Sequence, residues 1–409
     1  MKVGQLLYVV LLLCAVIVPP VSSEQVTITV MCALPAQPAD MMPELVARFE
    51  AVHPDIKVEL VAGDDTKVLT SIASGLIPDA ATINQNTSIN FYRSGGAYDL
   101  TEFIKEDHFD LSQIPPNYES LMYDGRWYGM PNGGGAFADL AIFYNRDMFS
   151  AAGLAYPTYS WTWTEFSTAV QRLSVDRQND GVFEVLGFTF ASDVTWPVFV
   201  WSGGGEIFST DRTAFMLTDT KAVNALEFWA DLARRGLIKY PVSGFTNQAA
   251  AMRQAAFLET RTMLNQNLIF DWAIVEFPQG AAGAVNRRAT HPWIIPVNAE
   301  HPREGWEWIK FWLSEEVQTD LVLRWNFRAP QTTVVAQKLA RLRLDKPPYS
   351  YAPFTGVNGT ANALPIDVPN WPEIDGIIGA AIKTVWNGAQ SVQAAMDGIA
   401  AKVMALAHP

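Results

Sequence analysis

The sequence predicts an α/β protein of more than one domain. Near its start, Val26-Thr27-Ile28-Thr29-Val30 alternates β-branched residues, Pro43 to Ala51 carries helix-spaced Leu45, Val46 and Phe49, and Ile56 to Val61 alternates again. Strand, helix and strand at this spacing describe a parallel sheet with right-handed crossovers. A second alternation of the same kind begins after Tyr144. Length is the third observation. The 409 residues exceed one ordinary core, and 49% hydrophobic with 17% charged residues describes a folded chain.

The first residues run from Lys2 through an apolar stretch, Leu6 to Val18, into Pro19-Pro20 and Val21-Ser22-Ser23. That order is a secretory signal peptide over 1–23, cleaved after Ser23. Cys14 lies inside the apolar stretch, not at its end behind a small residue, so export without a lipid anchor is expected. Without the signal, Cys32 is the one remaining thiol, which permits no intrachain disulfide and no cysteine-rich metal site. The formal charge of −13 argues against nucleic acid and anionic membrane surfaces, both of which need a basic face.

Along the mature chain, Lys67 to Ala73 reads as a helix closed by Gly75, and Ala80 to Ile83 as a short third strand. A strand runs into Tyr144-Asn145; Asp147 can cap a helix over 148–152, and Gly153 can end it in the left-handed conformation. Pro157 fixes a connector, and Thr164 can cap a second helix, 164–173. Leu186 to Phe190 reads as a strand. Lys221 to Arg235 is an amphipathic helix with Ala222, Ala225, Leu226, Trp229 and Leu232 on one stripe. Phe257 to Leu264 reads as a strand, Glu304 to Leu313 as a helix, and 373–407 as two helices interrupted near Asn387-Gly388. The loop 345–372 is the longest irregular piece.

Several stretches together resemble the bacterial extracellular solute-binding proteins, the sugar-binding components of ABC importers. They are Tyr144-Asn145-Arg146-Asp147-Met148-Phe149 through Gly153-Leu154, Ile77-Pro78-Asp79-Ala80, Asp124-Gly125-Arg126-Trp127-Tyr128-Gly129-Met130-Pro131, and Trp201-Ser202-Gly203-Gly204-Gly205. Phe257 to Met263 is taken for the family's FxxGKAAM landmark, and Trp306 to Trp312 and Arg328-Ala329-Pro330 match later ones. The chain departs from the family at Met31-Cys32-Ala33-Leu34, where an aromatic is common, and between Asn265 and Trp272. The resemblance implies a two-lobed periplasmic-binding-protein fold of type II, with a hinge and a ligand cleft between lobes. One lobe would comprise 24–138 plus 275–327, the other 143–271 plus 331–409. It also implies a monomer that captures a carbohydrate, a di- or oligosaccharide, and delivers it to the permease subunits of an ABC transporter.

Sugars present apolar ring faces to aromatic side chains and hydroxyls to fixed donors and acceptors. Trp201, Trp293 and Trp371 stand at landmarks beside turns and are candidate stacking residues, against ordinary packing as the alternative. Asp64, Asn84 or Gln85, and Asn132 follow strand ends of one lobe; Glu206, Asn265 or Asn267, and Arg328 belong to the other lobe or to a crossing. Turn and cap chemistry explains Asn and Asp at such places equally. Gly133-Gly134-Gly135 and Gly203-Gly204-Gly205 lack the Lys-Ser/Thr of a phosphate loop, and no basic cluster advertises a phosphate. Asp176, Gln178 and Asp180 supply oxygens at alternate positions before Gly181, as a calcium loop begins, yet Gly187 stands where its closing acid should be; an Asx-type turn is the alternative. No other cofactor is expected.

The competing classes are a secreted carbohydrate-active hydrolase, whose acid pair would come from Asp64, Asp65 and Glu206, a binder of a phosphorylated polyol, and a binding protein that feeds a membrane sensor. The histidines before proline, His53, His291, His301 and His408, read as turns, and no Gly-x-Ser-x-Gly elbow occurs.

Overall fold

The computed structural model describes residues 25–32, 37–115, 120–190, 195–239 and 244–409. The expected signal peptide, 1–23, lies outside them. Two five-stranded sheets dominate. The first has the order Ile56–Ala62, Val26–Cys32, Ala80–Thr82, His291–Ile294, Gly129–Gly133. Val26–Cys32 runs parallel to both neighbours, whereas His291–Ile294 runs antiparallel to both of its own. The carboxyl ends of four strands and the amino end of the fifth therefore share one edge. Cys32, Asp64, Asn84-Gln85, Asn132-Gly133 and His291 all stand there.

The second sheet has the order Trp272–Val275, Leu140–Asn145, Met252–Ala256, Phe188–Phe190, Ile238–Lys239. Leu140–Asn145 is antiparallel to both neighbours, and the other pairings are parallel. One edge thus gathers Glu276 after Val275, Phe257 after Ala256, and Asp139 before Leu140. A small parallel ladder, Val285–Arg288 with Thr360–Ala363, ties the long C-terminal loop to the chain between the sheets.

Helices cover both sheets through aromatic cores. Trp308 and Trp312 of the helix Pro302–Trp312 meet Trp293 edge-on, with ring centroids 6.3 and 5.4 Å away. In the second core, Trp229 of the helix Thr220–Arg234 stacks on Phe199 at 3.7 Å. Fully burying such rings contributes about 3 kcal/mol each, an upper estimate from area.

Several local expectations are corrected. Asn145, not Asp147, caps the helix Arg146–Ala151, its side chain accepting from the Met148 N–H at 3.0 Å. Asp147 instead accepts from the Asp271 N–H. Thr162, not Thr164, caps the helix Trp163–Leu173, because only Thr162 stands three residues before Glu165 and completes a reciprocal capping box. Gly153 is left-handed as expected, at φ +61°. Phe257 to Leu264 is not a strand: Leu258–Asn265 is a helix, and the strand is Met252–Ala256. Gln248, in the turn before that strand, is left-handed at φ 62°. His291-Pro292 is part of a strand, not a turn. Trp371 is the first residue of the helix Trp371–Trp386 and does not sit in an irregular loop.

The capping assignment predicts that Thr162→Ala lowers unfolding free energy by about 1 kcal/mol. Thr164→Ala should stay within about 0.5 kcal/mol of the parent. Urea unfolding followed by circular dichroism reads both, and equal losses would refute the assignment.

Candidate functional site

The chain passes between the sheets three times, through 133–139, 276–290 and 327–331, and these crossings bond to one another. The Asp139 N–H donates to the Arg287 carbonyl at 2.7 Å, and the Ala289 N–H to the Gly135 carbonyl at 3.1 Å. Asn286 clasps Leu140 from both sides, accepting its N–H and donating to its carbonyl. Gln331 Nε2 donates to the Gly134 carbonyl at 3.0 Å, while its own N–H donates to Gln318 Oε1. The Arg287 guanidinium pairs with the Asp139 carboxylate, both largely buried. The triple glycine makes the approach feasible: a Cβ at Gly135 would lie 2.1 Å from Asp139 Cα, and Gly134 has φ +81° with Ala289 O in the way.

A polar floor lies where these crossings reach the first sheet's edge. Asn132, 2% exposed, has its Oδ1 buried without a partner among the described residues; so have Gln331 Oε1, Arg328 Nε and Arg287 Nε. Arg328 lies over the Phe327 ring at 4.3 Å and against the bare backbone of Gly133, where a Cβ would come within 2.9 Å of Nε. Burial lowers its pKa to about 10. His291 accepts the Gln85 N–H at Nδ1, 3.4 Å away, and Gln85 Oε1 takes the Thr290 N–H at 2.9 Å. Burial, followed by the positive charge of Arg328, pushes His291 down to about 4. The Cys32 thiol is pushed up to about 12 by burial, so it is no nucleophile.

A second hollow, of about 260 Å³, borders the ladder on the second-sheet side and is lined by Trp201, Glu206, Arg212, Arg288 and Asn362, among others. Burial raises the Glu206 carboxyl above the usual carboxylate range, with Arg212 acting in the opposite direction. Arg212 is forked on Asp367.

The structure sorts the candidate residues unevenly. Gln85, Asn132 and Arg328 come together on the floor, and Trp201 and Glu206 share the hollow. Asp64 and Asn84 cap helices, accepting from the Lys67 and Asn86 N–H groups at 2.9 Å. Trp293 is 0% exposed and Trp371 1%, both inside apolar cores, so neither ring offers a face to a sugar. Asn265 and Asn267 are exposed at the end of the helix Leu258–Asn265 and do not follow a strand, because the segment before them is helical. In the calcium-like loop, Asp176 accepts from the Asp180 and Gly181 N–H groups and Asp180 from Val182. Among the described residues no group of three His, Cys, Asp or Glu side chains could hold a metal. Sequence reasoning passed over Asp139, Arg287, His291 and Gln331. The triple glycine beside Asp139 was a usable signal for the first; nothing local marks Gln331.

Comparison with known proteins agrees with this arrangement. A family model described as bacterial extracellular solute-binding protein matches residues 35–319. The chain belongs to that family. A protein of Brucella abortus (strain 2308) is 24% identical over 378 residues, 89% of each chain. Among solved structures, an ABC substrate-binding protein of Listeria monocytogenes in complex with cycloalternan aligns with TM-score 0.76 at 23% identity, over 93% of this chain and 98% of that one. The cyclic α-maltosyl-1,6-maltose binding protein of Arthrobacter globiformis aligns with TM-score 0.77 at 20% identity, over 93% and 99%. The fold is accordingly the two-lobed type II periplasmic-binding-protein fold. Family and neighbours are binding proteins, and no described helix is long and apolar enough to cross a membrane.

Two predictions follow from the placements. Trp293→Ala should destabilise the protein by about 3–5 kcal/mol in denaturant titration, as removal of a core ring does; an unchanged midpoint would return Trp293 to the cleft. His291, with a folded pKa near 4 against an unfolded value near 6.5, binds its proton more readily unfolded. Its contribution is full above about pH 6.5 and is lost as pH falls towards 4. His291→Gln should flatten the fall in melting temperature over that window, and parallel pH profiles for the two proteins would contradict the assignment.

Proposed function

We propose that this protein captures a hydroxyl-rich solute of the carbohydrate class in the cleft between its two sheet edges. The two lobes would be 24–138 plus 275–327 and 143–271 plus 331–409. The floor of the crossings carries this reading: Asn132 Oδ1 and Gln331 Oε1 are buried acceptors, and Arg328 Nε a buried donor, without partners among the described residues. Leaving such groups unsatisfied costs about 1–3 kcal/mol each, which a bound hydroxyl would recover because it donates and accepts at once. The solutes named for the Listeria and Arthrobacter neighbours are cyclic saccharides of several rings, in keeping with a ligand of more than one ring.

Delivery to the permease subunits of an ABC importer, by a monomer exported without a lipid anchor, completes the reading. No cofactor takes part. Capture without turnover is favoured over hydrolysis by the state of the acids. Asp64 is a helix cap, Asp65 is occupied by the Asn84 N–H and the Thr87 hydroxyl, and Glu206 lines the separate hollow beside Arg212. None stands as a free acid pair.

The test is a thermal-shift and tryptophan-fluorescence screen across mono- and oligosaccharides, followed by chromatography of the mixtures. A saturable rise in melting temperature with the sugar recovered intact is expected. Release of shortened products at a rate proportional to protein would establish the hydrolase instead.

A further inference from the structure

Two arginines stand at the crossings in similar surroundings but in opposite electrostatic states. Arg287 is paired with Asp139, whereas no ion pair and no hydrogen bond of the Arg328 guanidinium occurs among the described residues. Among the described residues the titratable group that acts on Arg328 is the Cys32 thiol, and no carboxylate among them raises its pKa. The titratable group facing it from the neighbouring strand is His291, neutral at pH 7 and tied to Gln85. Arg328 also lies over the Phe327 ring and against the backbone of Gly133. Ala33 to Ala36, which follow Cys32, carry no acid either. Arg328 is nevertheless not sealed off: its side chain keeps partial exposure, and its terminal nitrogens are not among the buried unpartnered atoms. Its terminal nitrogens therefore stay accessible at the 327–331 crossing.

A guanidinium in poorly hydrated surroundings, without a counter-ion, is an unfavourable arrangement unless something binds there. A neutral hydroxyl satisfies one or two of its N–H groups but leaves the charge unbalanced. A carboxylate or phosphate matches the planar fork and cancels the charge as well. The adjoining acceptors, Asn132 Oδ1 and Gln331 Oε1, suit hydroxyls on the same molecule.

Resting on the carbohydrate reading above, we infer that the solute is an acidic one: a sugar or polyol bearing a carboxylate or phosphate that Arg328 receives. This departs from what sequence suggested, since a single buried arginine makes no basic cluster along the chain.

Isothermal titration with the full mature protein tests it. Galacturonate and digalacturonate form the carboxylate series, glucose 6-phosphate and glycerol 3-phosphate the phosphate series, with galactose, glucose, maltose and lactose as neutral counterparts. In the parent, one anionic series should bind about tenfold to hundredfold tighter than its neutral counterparts, the range for a charge-assisted hydrogen bond. The series that does so identifies the anion. Arg328→Gln should collapse that ratio towards one, and Arg328→Lys should keep part of it as a point charge. Melting curves certify that each variant is folded, and should Arg328→Gln not fold, the Arg328→Lys ratio and the parent's salt dependence are read in its place. Neutral and acidic sugars bound equally by the parent, or a preference that survives Arg328→Gln, would overturn the inference and leave the carbohydrate reading standing. A parent that binds no member of any series would overturn both.

Discussion

The three crossings between the sheets, and the bonds that lock them together, are the constraint on which the rest of the structure depends. The first sheet is not continuous in sequence: His291–Ile294, which sits between Ala80–Thr82 and Gly129–Gly133, follows all five strands of the second sheet in the chain. That sheet is complete only when the chain has crossed over and returned. The Asp139–Arg287 pair, the Asn286–Leu140 clasp and the Gln331–Gly134 bond hold those passages together. Removing one member of such a buried ion pair generally costs about 3–5 kcal/mol, because the other charge is stranded. The same knot of bonds ties the carboxyl edge of the first sheet to the segments that enter and leave the second.

Around that knot, polar groups divide into those that build the protein and those left over. Gln85 is used structurally, its Oε1 accepting from the Thr290 N–H and its backbone N–H donating to His291. Asp65 is used to start a helix, and Asn286 to join two crossings. Asn132, Gln331 and Arg328 retain unsatisfied atoms in the same region. The tryptophans divide the other way. Trp293 and Trp371 are spent on the cores, and Trp201, at 4% exposure, borders the hollow with Glu206.

Much of the framework was legible because it depends on local patterns. Val26–Cys32 and Ile56–Ala62 alternate in sequence and pair in parallel, and the stripe on Thr220–Arg234 is the buried one. Helix starts were legible in kind but misplaced by two residues. A cap is decided by which side chain reaches an open N–H, and Asn145 and Thr162 were better placed than Asp147 and Thr164. The strand Met252–Ala256 was missed because the strand was placed on Phe257 to Leu264, which is helical. That one misreading carried Asn265 and Asn267 into the candidate site.

By itself the sequence determined the α/β class, the order of most elements and the family, since hydrophobic period, turn residues and short motifs are properties of neighbouring residues. Tertiary structure alone decided which polar groups would be left without partners. Whether Arg328 is balanced depends on Asp139 choosing Arg287, on Gly133 offering bare backbone, and on His291 arriving from a strand more than 150 residues beyond that glycine. Charge compensation and burial are sums over everything nearby in space, and no stretch of chain contains them.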